Sequence, residues 1–307
     1  MSIEKPIDLS ASVHQKLLNR ARSDVRPFNE LLQYYSIERF LSRLSSSSHR
    51  EKFILKGALV LWGWQAPDSR PTRDIDLLGI TDNDINSVTG IVADICKTEI
   101  EPDGLVFDTG AIKGSRITED AEYEGVRVKF LCYLGRARIP MQIDIGFGDI
   151  VSPHPEKISI SGFLDNKEFE LNCYSKESFI AEKFQAIIKL GQLNSRMKDF
   201  YDIWLLSRQY DFSGEELCNA VRETFIKRKT PFPEKIKVFD PEFIVARDRQ
   251  WKAFINRFGN INMPEDFSEA IGQISAFLTP VNESLRKDQN SLFEWRAPGP
   301  WQDLSNI

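Results

Sequence analysis

Asp74-Ile75-Asp76, running into Leu77-Leu78-Gly79-Ile80, sets two carboxylates one apolar residue apart at the head of an apolar stretch. Side chains alternate along a strand, so this spacing puts both acids on one face and leaves the other face to be buried. Like charges held that close repel unless a cation lies between them, and a divalent metal ion is the simplest such cation. Upstream, Phe53-Ile54-Leu55 runs into Lys56-Gly57-Ala58 and then into an apolar, helix-compatible segment from Leu59 to Trp64. A strand, a small-residue turn and a helix start present backbone N–H groups to an anion, as phosphates require. Arg70 and Arg73, with Thr72 between them, add fixed positive charge beside the acids.

A third acid stands further along. In Ile139-Pro140-Met141-Gln142-Ile143-Asp144-Ile145, Met141, Ile143 and Ile145 make one face of a strand and Gln142 and Asp144 the other. A carboxylate on a strand otherwise buried in a sheet needs a partner. If this strand lies beside that of Asp76, Asp144 completes a cage of three carboxylates. Hard oxygen donors suit Mg²⁺, with Mn²⁺ as the alternative. Two such ions about 4 Å apart would bridge a nucleotide's phosphates and an attacking hydroxyl. Asp74 and Asp76 would bind both, while Asp144 would hold the ion that activates the hydroxyl and could accept its proton. Asp149, in Gly146-Phe147-Gly148-Asp149, competes for the third place, although its glycine-rich setting reads as a turn.

A second charged block follows. The segment from Lys176 to Leu190 reads as a helix with Ile180, Phe184, Ile187 and Ile188 as its buried stripe and Gly191 as its stop. Lys183 falls at the rim of that stripe, where periodicity alone gives a snorkelling surface lysine. In the stretch from Asn194 to Leu206, Arg196, Asp199 and Asp202 stand three residues apart along one side of a helix, so they are paired, functional or both.

In this order, the K-G-A turn, the R-P-T-R-D-I-D strand, the A-E-K helix and the R-M-K-D-F-Y-D block resemble the AbiEii/AbiGii toxin family of the polymerase beta-like nucleotidyltransferase superfamily. The resemblance spans roughly residues 28 to 206. It implies a nucleotide site of Lys56, Gly57, Ala58, Arg70, Thr72, Arg73, Lys183 and Arg196, and a catalytic set of Asp74, Asp76, Asp144, Lys183, Asp199 and Asp202. Within it, Lys183 contacts the phosphates, Arg196 assists at the phosphate or acceptor, and Asp199 and Asp202 organise the site. The implied activity is that of a toxin in an abortive-infection or toxin–antitoxin system. It would transfer a nucleoside monophosphate from an NTP to an acceptor hydroxyl, at the 3′ end of tRNA in relatives. Its implied partner is a separately encoded AbiEi-like antitoxin with a DNA-binding domain. A phosphotransferase or protein-nucleotidylating enzyme on the same metal site, or a non-catalytic NTP sensor, are the competing readings. The sequence departs from the superfamily at Gly57-Ala58, where G-S is common, so a hydroxyl contact to the triphosphate is missing.

The rest of the chain must position these groups. With 307 residues and 41% hydrophobic content it can bury one substantial core or two modest ones. The expected class is α/β (α+β). N-terminal helices over 1–50 would pack on a nucleotidyltransferase-like mixed-sheet lobe over 51–174. A helical lobe over 175–290 and a tail over 291–307 would follow, with the active site in the cleft between the lobes. Two helices are expected over residues 8–46, the first capped by Ser10 and the second starting after Pro27, with Ser45 to Ser48 as a linker. A capped helix follows Thr81-Asp82-Asn83-Asp84. Residues 150–174 read as the exit from the sheet lobe, with a hairpin around Asp165-Asn166-Lys167, and Trp295 to Trp301 as irregular chain packed on the body or on a partner, or otherwise disordered.

A net charge of −5 and a pI near 5.5 exclude a global basic footprint, so contact with RNA would need a local patch. Lys227, Arg228, Lys229, Lys235 and Lys237, then Arg247, Arg249, Lys252 and Arg257, are the candidates, against a solvated helical surface. Cys96, Cys132, Cys173 and Cys218 make no C-x-x-C pair, which argues against a zinc site or disulfide framework and for buried thiols in a reducing compartment. Neither a leader-like N-terminus nor a membrane-length apolar run is present, so the expected location is the cytoplasm, without membrane contact.

Overall fold

Alternation in the central segments decides which face of a sheet is buried, and the computed structural model shows that sheet. It describes residues 8–66, 71–117, 125–165, 167–257, 263–289 and 293–303, which fall into two units. The first takes the described residues of Met1–Gln65, Pro71–Gly148 and Lys157–Cys173. It begins with helices α1 (Leu9–Ser23) and α2 (Phe28–Ser46). Asp8, not Ser10, caps α1. Its carboxylate accepts the Ala11 N–H at 3.1 Å, and Ser10 Oγ, already one position inside the helix, donates to the same oxygen at 2.7 Å. Helix α2 runs on through Ser45 and Ser46, shortening the expected linker; Ser45 Oγ donates to the Glu170 carbonyl at 2.8 Å.

Then come β1 (Phe53–Lys56), α3 (Leu59–Gly63), β2 (Ile75–Gly79), α4 (Ile85–Lys97), β3 (Leu105–Ile117), β4 (Gly125–Leu134), β5 (Ala137–Phe147), β6 (Glu156–Ser161) and β7 (Glu168–Cys173). Asp84 caps α4, accepting the Ser87 N–H at 2.9 Å. The seven strands form one mixed sheet in the order β3-β4-β5-β2-β1-β7-β6. Strands β2 and β5 run parallel, as do β1 and β7, whereas β1–β2, β3–β4 and β4–β5 are antiparallel. Residues 156–173, the last part of the 51–174 lobe, complete its sheet as β6 and β7. Their alternating Ile158, Ile160, Leu171 and Cys173 are buried, and Cys173 stands opposite Leu55.

Register links the strands into rows. Val126, Ile145, Leu77, Leu55 and Cys173 are successive neighbours across β4, β5, β2, β1 and β7, and all are buried. Helices α2 and α4 pack against this sheet, with Phe40 of α2 lying 5.8 Å from Phe130 and 6.2 Å from Phe107 between ring centroids. Burying each such side chain stabilises the unit by about 1.5–3 kcal/mol. Because side chains alternate, the residues one step along from this apolar row share the opposite face.

The second unit comprises Ala66 and the described residues of Asp149–Glu156 and Tyr174–Ile307. It contains α5 (Lys176–Leu190), α6 (Met197–Gln209), β8 (Phe212–Ser213), α7 (Gly214–Lys227), α8 (Pro241–Ile255), α9 (Phe267–Lys287), β9 (Phe293–Trp295) and β10 (Trp301–Asp303). Ser175 caps α5 and Ser213 caps α7, each accepting a backbone N–H of the first turn. An aromatic cluster joins α6, α8 and α9: Phe200 lies 5.3 Å from Phe267, and Trp251 5.2 Å from the same ring. The tail is more regular than expected. Strands β10, β9 and β8 form a small sheet, because Pro298, Gly299 and Pro300 occupy only the connection between β9 and β10. Trp295 is buried and donates to the Ser207 carbonyl at 2.6 Å; Trp301 stacks on Phe277 and donates to that residue's carbonyl at 2.8 Å. Among the described residues no helix is long and apolar enough to cross a membrane.

Candidate active site

The polar face of the sheet in the first unit carries a transverse row of charge. Arg127 on β4 is opposite Asp144 on β5, Asp144 is opposite Asp76 on β2, and Asp76 is opposite Lys56 on β1. Neighbouring strands are about 4.8 Å apart, so the two acids are held side by side and flanked by one cation on each end. The strand of Asp144 therefore lies beside the strand of Asp76, the condition for a shared carboxylate site. Asp74 stands one residue before β2. All three acids are only partly buried.

Asp144 already has a partner that the sequence reading missed. Arg127 grips it at two points, Nε to Oδ1 and Nη2 to Oδ2, both at 2.8 Å, and Gln142 Nε2 donates to Oδ2 at 3.2 Å. Among the described residues no three His, Cys, Asp or Glu side chains converge to hold one metal ion. The donor chemistry of Asp74, Asp76 and Asp144, all hard oxygens, fits Mg²⁺ or Mn²⁺. An ion engaging Asp144 would either share its carboxylate with Arg127 or displace it.

The Lys56-Gly57-Ala58 turn sits directly against Asp76. Gly57 has φ +67°, and a Cβ there would lie 2.1 Å from Asp76 Oδ2 and 2.8 Å from its Cβ and Cγ. Only glycine satisfies both the left-handed backbone and the close approach. Thr72 and Arg73 are tied down by α2: the Thr72 N–H donates to Tyr34 Oη at 3.1 Å, and Gln33 Nε2 donates to the carbonyls of Arg73 at 3.4 Å and Pro140 at 3.2 Å. Burial pushes the Tyr34 phenol above its ordinary pKa, so it is present as the neutral hydroxyl. Thr72 Oγ1 donates to the Asp74 carbonyl at 3.3 Å. The Arg73 side chain is exposed. Arg70 lies outside the described residues.

In the second unit, Lys183 is no surface lysine. Its side chain is 11% exposed, and its Nζ lies 2.7 Å from Asp202 and 3.3 Å from Asp199, whose side chains are 0% and 2% exposed. The ammonium also sits 4.4 Å from the centre of the Phe179 ring. Asp199 pairs with Arg196 as well, Nε to Oδ2 at 2.8 Å, and the Arg196 N–H donates to the Oδ1 of buried Asn194 at 2.7 Å. Periodicity missed this because α5 turns its Lys183 edge toward α6, and only the two acids of α6 make that edge polar.

Asp149 belongs to a different network. It accepts from Arg228 at 2.9 Å, and the same guanidinium bonds Glu182 at 2.6 Å and Gln185 at 3.1 Å. Burial acts to lower the pKa of Arg228, but Glu182 and Asp149 overcome it and raise the pKa on balance. Arg228 therefore drops out of the basic patch expected from sequence. Other members of that patch are also engaged: Lys235 with Asp240, Lys252 with Asp248 and Asp266, and Arg247 with the Gln192 carbonyl.

Residues 39–273 match the model of the family described as nucleotidyl transferase AbiEii toxin, type IV TA system. In fold the chain is similar to JHP933 from Helicobacter pylori, with 15% identity over 84% of this chain and 94% of that one and a TM-score of 0.50. It is also similar to MenT4, a nucleotidyltransferase toxin of Mycobacterium tuberculosis H37Rv, with 13% identity over 92% of this chain and 99% of that one and a TM-score of 0.50. No curated protein matches the sequence. The structural likenesses bear on the fold, whereas the family model covers most of the chain and includes the Lys56 turn, all the acids described above and the Lys183 cluster. On that match, the chain belongs to the AbiEii family of nucleotidyltransferase toxins of type IV toxin–antitoxin systems.

Proposed function

We propose that this nucleotidyltransferase toxin uses Mg²⁺, or Mn²⁺ in its place, to transfer a nucleoside monophosphate from an NTP to an acceptor hydroxyl at the 3′ end of tRNA. The observation that carries this reading is the placement of Asp76 and Asp144 side by side on parallel strands, with Gly57 of the phosphate turn against Asp76. Asp74, Asp76 and Asp144 are the residues that would hold the metal. When bound, the metal supplies Lewis-acid charge for the phosphoryl oxygens and favours ionisation of the acceptor hydroxyl.

The chain's own groups account for the remaining steps. The backbone of Gly57 and Ala58, with Lys56, Arg70, Thr72 and Arg73, orients the triphosphate. The acceptor oxygen bonds to the α-phosphorus, the bond from that phosphorus to the bridging oxygen breaks, pyrophosphate leaves, and Asp144 accepts the hydroxyl proton. Lys183 is the phosphate contact of the second unit, Arg196 serves the phosphate or acceptor, and Asp199 and Asp202 hold Lys183 in place. A separately encoded AbiEi-like antitoxin, carrying a DNA-binding domain, would neutralise the protein.

The test is incubation with Mg²⁺, total tRNA and each α-labelled NTP in turn. Label should enter tRNA with a preferred nucleotide, require Mg²⁺, and vanish in Asp76→Ala at unchanged thermal stability. Label entering protein instead of RNA would replace the acceptor in this reading; label entering neither would overturn it.

A further inference from the structure

The partner of Asp144 has a consequence for how the site is loaded. Both oxygens of this carboxylate are taken by one guanidinium at 2.8 Å, and one of them also by Gln142. Arg127, Asp144, Asp76 and Lys56 form a row whose two positive and two negative charges balance. A divalent ion shared by the two acids would make this row strongly positive and would face Arg127 as a like charge. Burial tells whether the guanidinium can yield. The Arg127 side chain is 29% exposed and that of Asp144 18%, so Arg127 can turn to water without stranding a buried charge. The Lys183 cluster cannot do this, because its acids are essentially inaccessible.

We propose that Arg127 is the resident counter-ion of Asp144, holding the third acid until a divalent cation displaces it, so that this site is loaded by exchange. The inference rests on the reading that Asp76 and Asp144 hold the metal. An arginine suits the task because it stays charged at every physiological pH and matches a carboxylate at two points, so the grip does not lapse with protonation. It also keeps two adjacent acids from repelling each other in the metal-free protein. The consequence is a weakened cation affinity in the absence of substrate, set by Arg127.

The experiment is Mn²⁺ binding to the full chain without nucleotide, followed by the electron paramagnetic resonance of free Mn²⁺, for wild type, Arg127→Gln and Asp76→Asn. One opposite charge against a carboxylate changes its affinity for a proton by about 10- to 1,000-fold. At the low end of that range, Arg127→Gln should bind Mn²⁺ about tenfold more tightly than wild type, and Asp76→Asn should lose saturable binding. Equal or weaker binding by Arg127→Gln, with binding still lost in Asp76→Asn, overturns the exchange while leaving the metal site intact. Mn²⁺ binding indifferent to Asp76→Asn overturns the metal site and the exchange with it. Should Arg127→Gln fail to fold, Arg127→Lys keeps the charge and loses the two-point grip, and should bind more tightly than wild type; no gain there has the same overturning force.

Discussion

Replacing Gly57 by alanine tests whether the position of the Asp76 carboxylate matters to the chemistry. The new Cβ would lie 2.1 Å from Asp76 Oδ2, and nonbonded contacts to a Cβ are essentially never under 3.0 Å. The carboxylate or the turn must therefore give way by about 1 Å. The backbone at φ +67° adds a left-handed cost of about 1–2 kcal/mol for a residue with a Cβ. At about 2–4 °C per kcal/mol for a chain somewhat smaller than this one, Gly57→Ala should lower the melting temperature by about 2–8 °C and leave a folded protein. A 1 Å displacement of a catalytic group costs about 100-fold in rate, so nucleotide incorporation should fall by that order, mainly in kcat. The assay is initial-rate transfer from α-labelled NTP alongside a thermal melt of the same preparation. A variant that melts lower as calculated, yet turns over within about threefold of wild type, would refute the claim that Asp76 must sit where Gly57 allows it. A loss confined to KM would refute it differently, placing the role of Gly57 in phosphate binding alone.

The Lys183 cluster and the thiols give two further tests. Lys183→Met takes the ammonium from between Asp199 and Asp202 in a nearly dry site and leaves Asp199 with Arg196, so it should cost about 3–5 kcal/mol in urea unfolding, and adding Asp202→Asn should recover part of that loss; a cost under about 1 kcal/mol would show that the remaining partners satisfy the acids. Burial pushes the Cys96 and Cys132 thiols from 9.0 up to about 12, so in native protein at pH 8 neither should react with a disulfide reagent until denaturant is added. Because the folded pKa values are raised, the stability they contribute is complete below pH 9 and is lost as pH climbs from 9 through 12, which an alkaline unfolding series would detect.

Where the sequence was legible, one physical period decided the outcome. Alternation from Met141 to Ile145 put Asp144 on the polar face, and the strand does lie beside Asp76. Arg127 could have been found by the same logic. Gly135-Arg136 makes a two-residue turn with Leu134 opposite Ala137, and counting back along the hairpin brings Arg127 opposite Asp144. The family resemblance singled out Lys183, but its burial lay beyond reach, because periodicity locates a residue on a helix but says nothing of what faces it. That Asp199 and Asp202 would bury their charges against this lysine depends on how α5 meets α6, a tertiary choice. Residues 156–173 show the same limit: alternation identifies a strand but not which edge it joins, and the pairing of β7 to β1 comes from the chain's return path.

The two charged clusters share a composition and differ in accessibility, and the difference constrains their roles. Each has two acids and two bases: Asp76, Asp144, Lys56 and Arg127 in one, Asp199, Asp202, Lys183 and Arg196 in the other. In the first, the acids are partly open, so a ligand can compete for them. In the second, the acids are closed to water, and the competition is over the bases. The Lys183 ammonium has three donors, of which Asp202 at 2.7 Å and Asp199 at 3.3 Å take two. The Phe179 ring lies 4.4 Å from the same ammonium, so the two acids and the ring together fix its position. Arg196 is 46% exposed and pairs with Asp199 through Nε, so on the proposed reading its guanidinium would meet an anion that arrives from solvent. A neutral cluster of this kind exerts little long-range pull on a polyanion, so on the proposed reading its selectivity for phosphate would come from preset geometry at contact distance. In a chain with a net charge of −5, the proposed phosphate contact would then rest on short-range geometry and not on a global field.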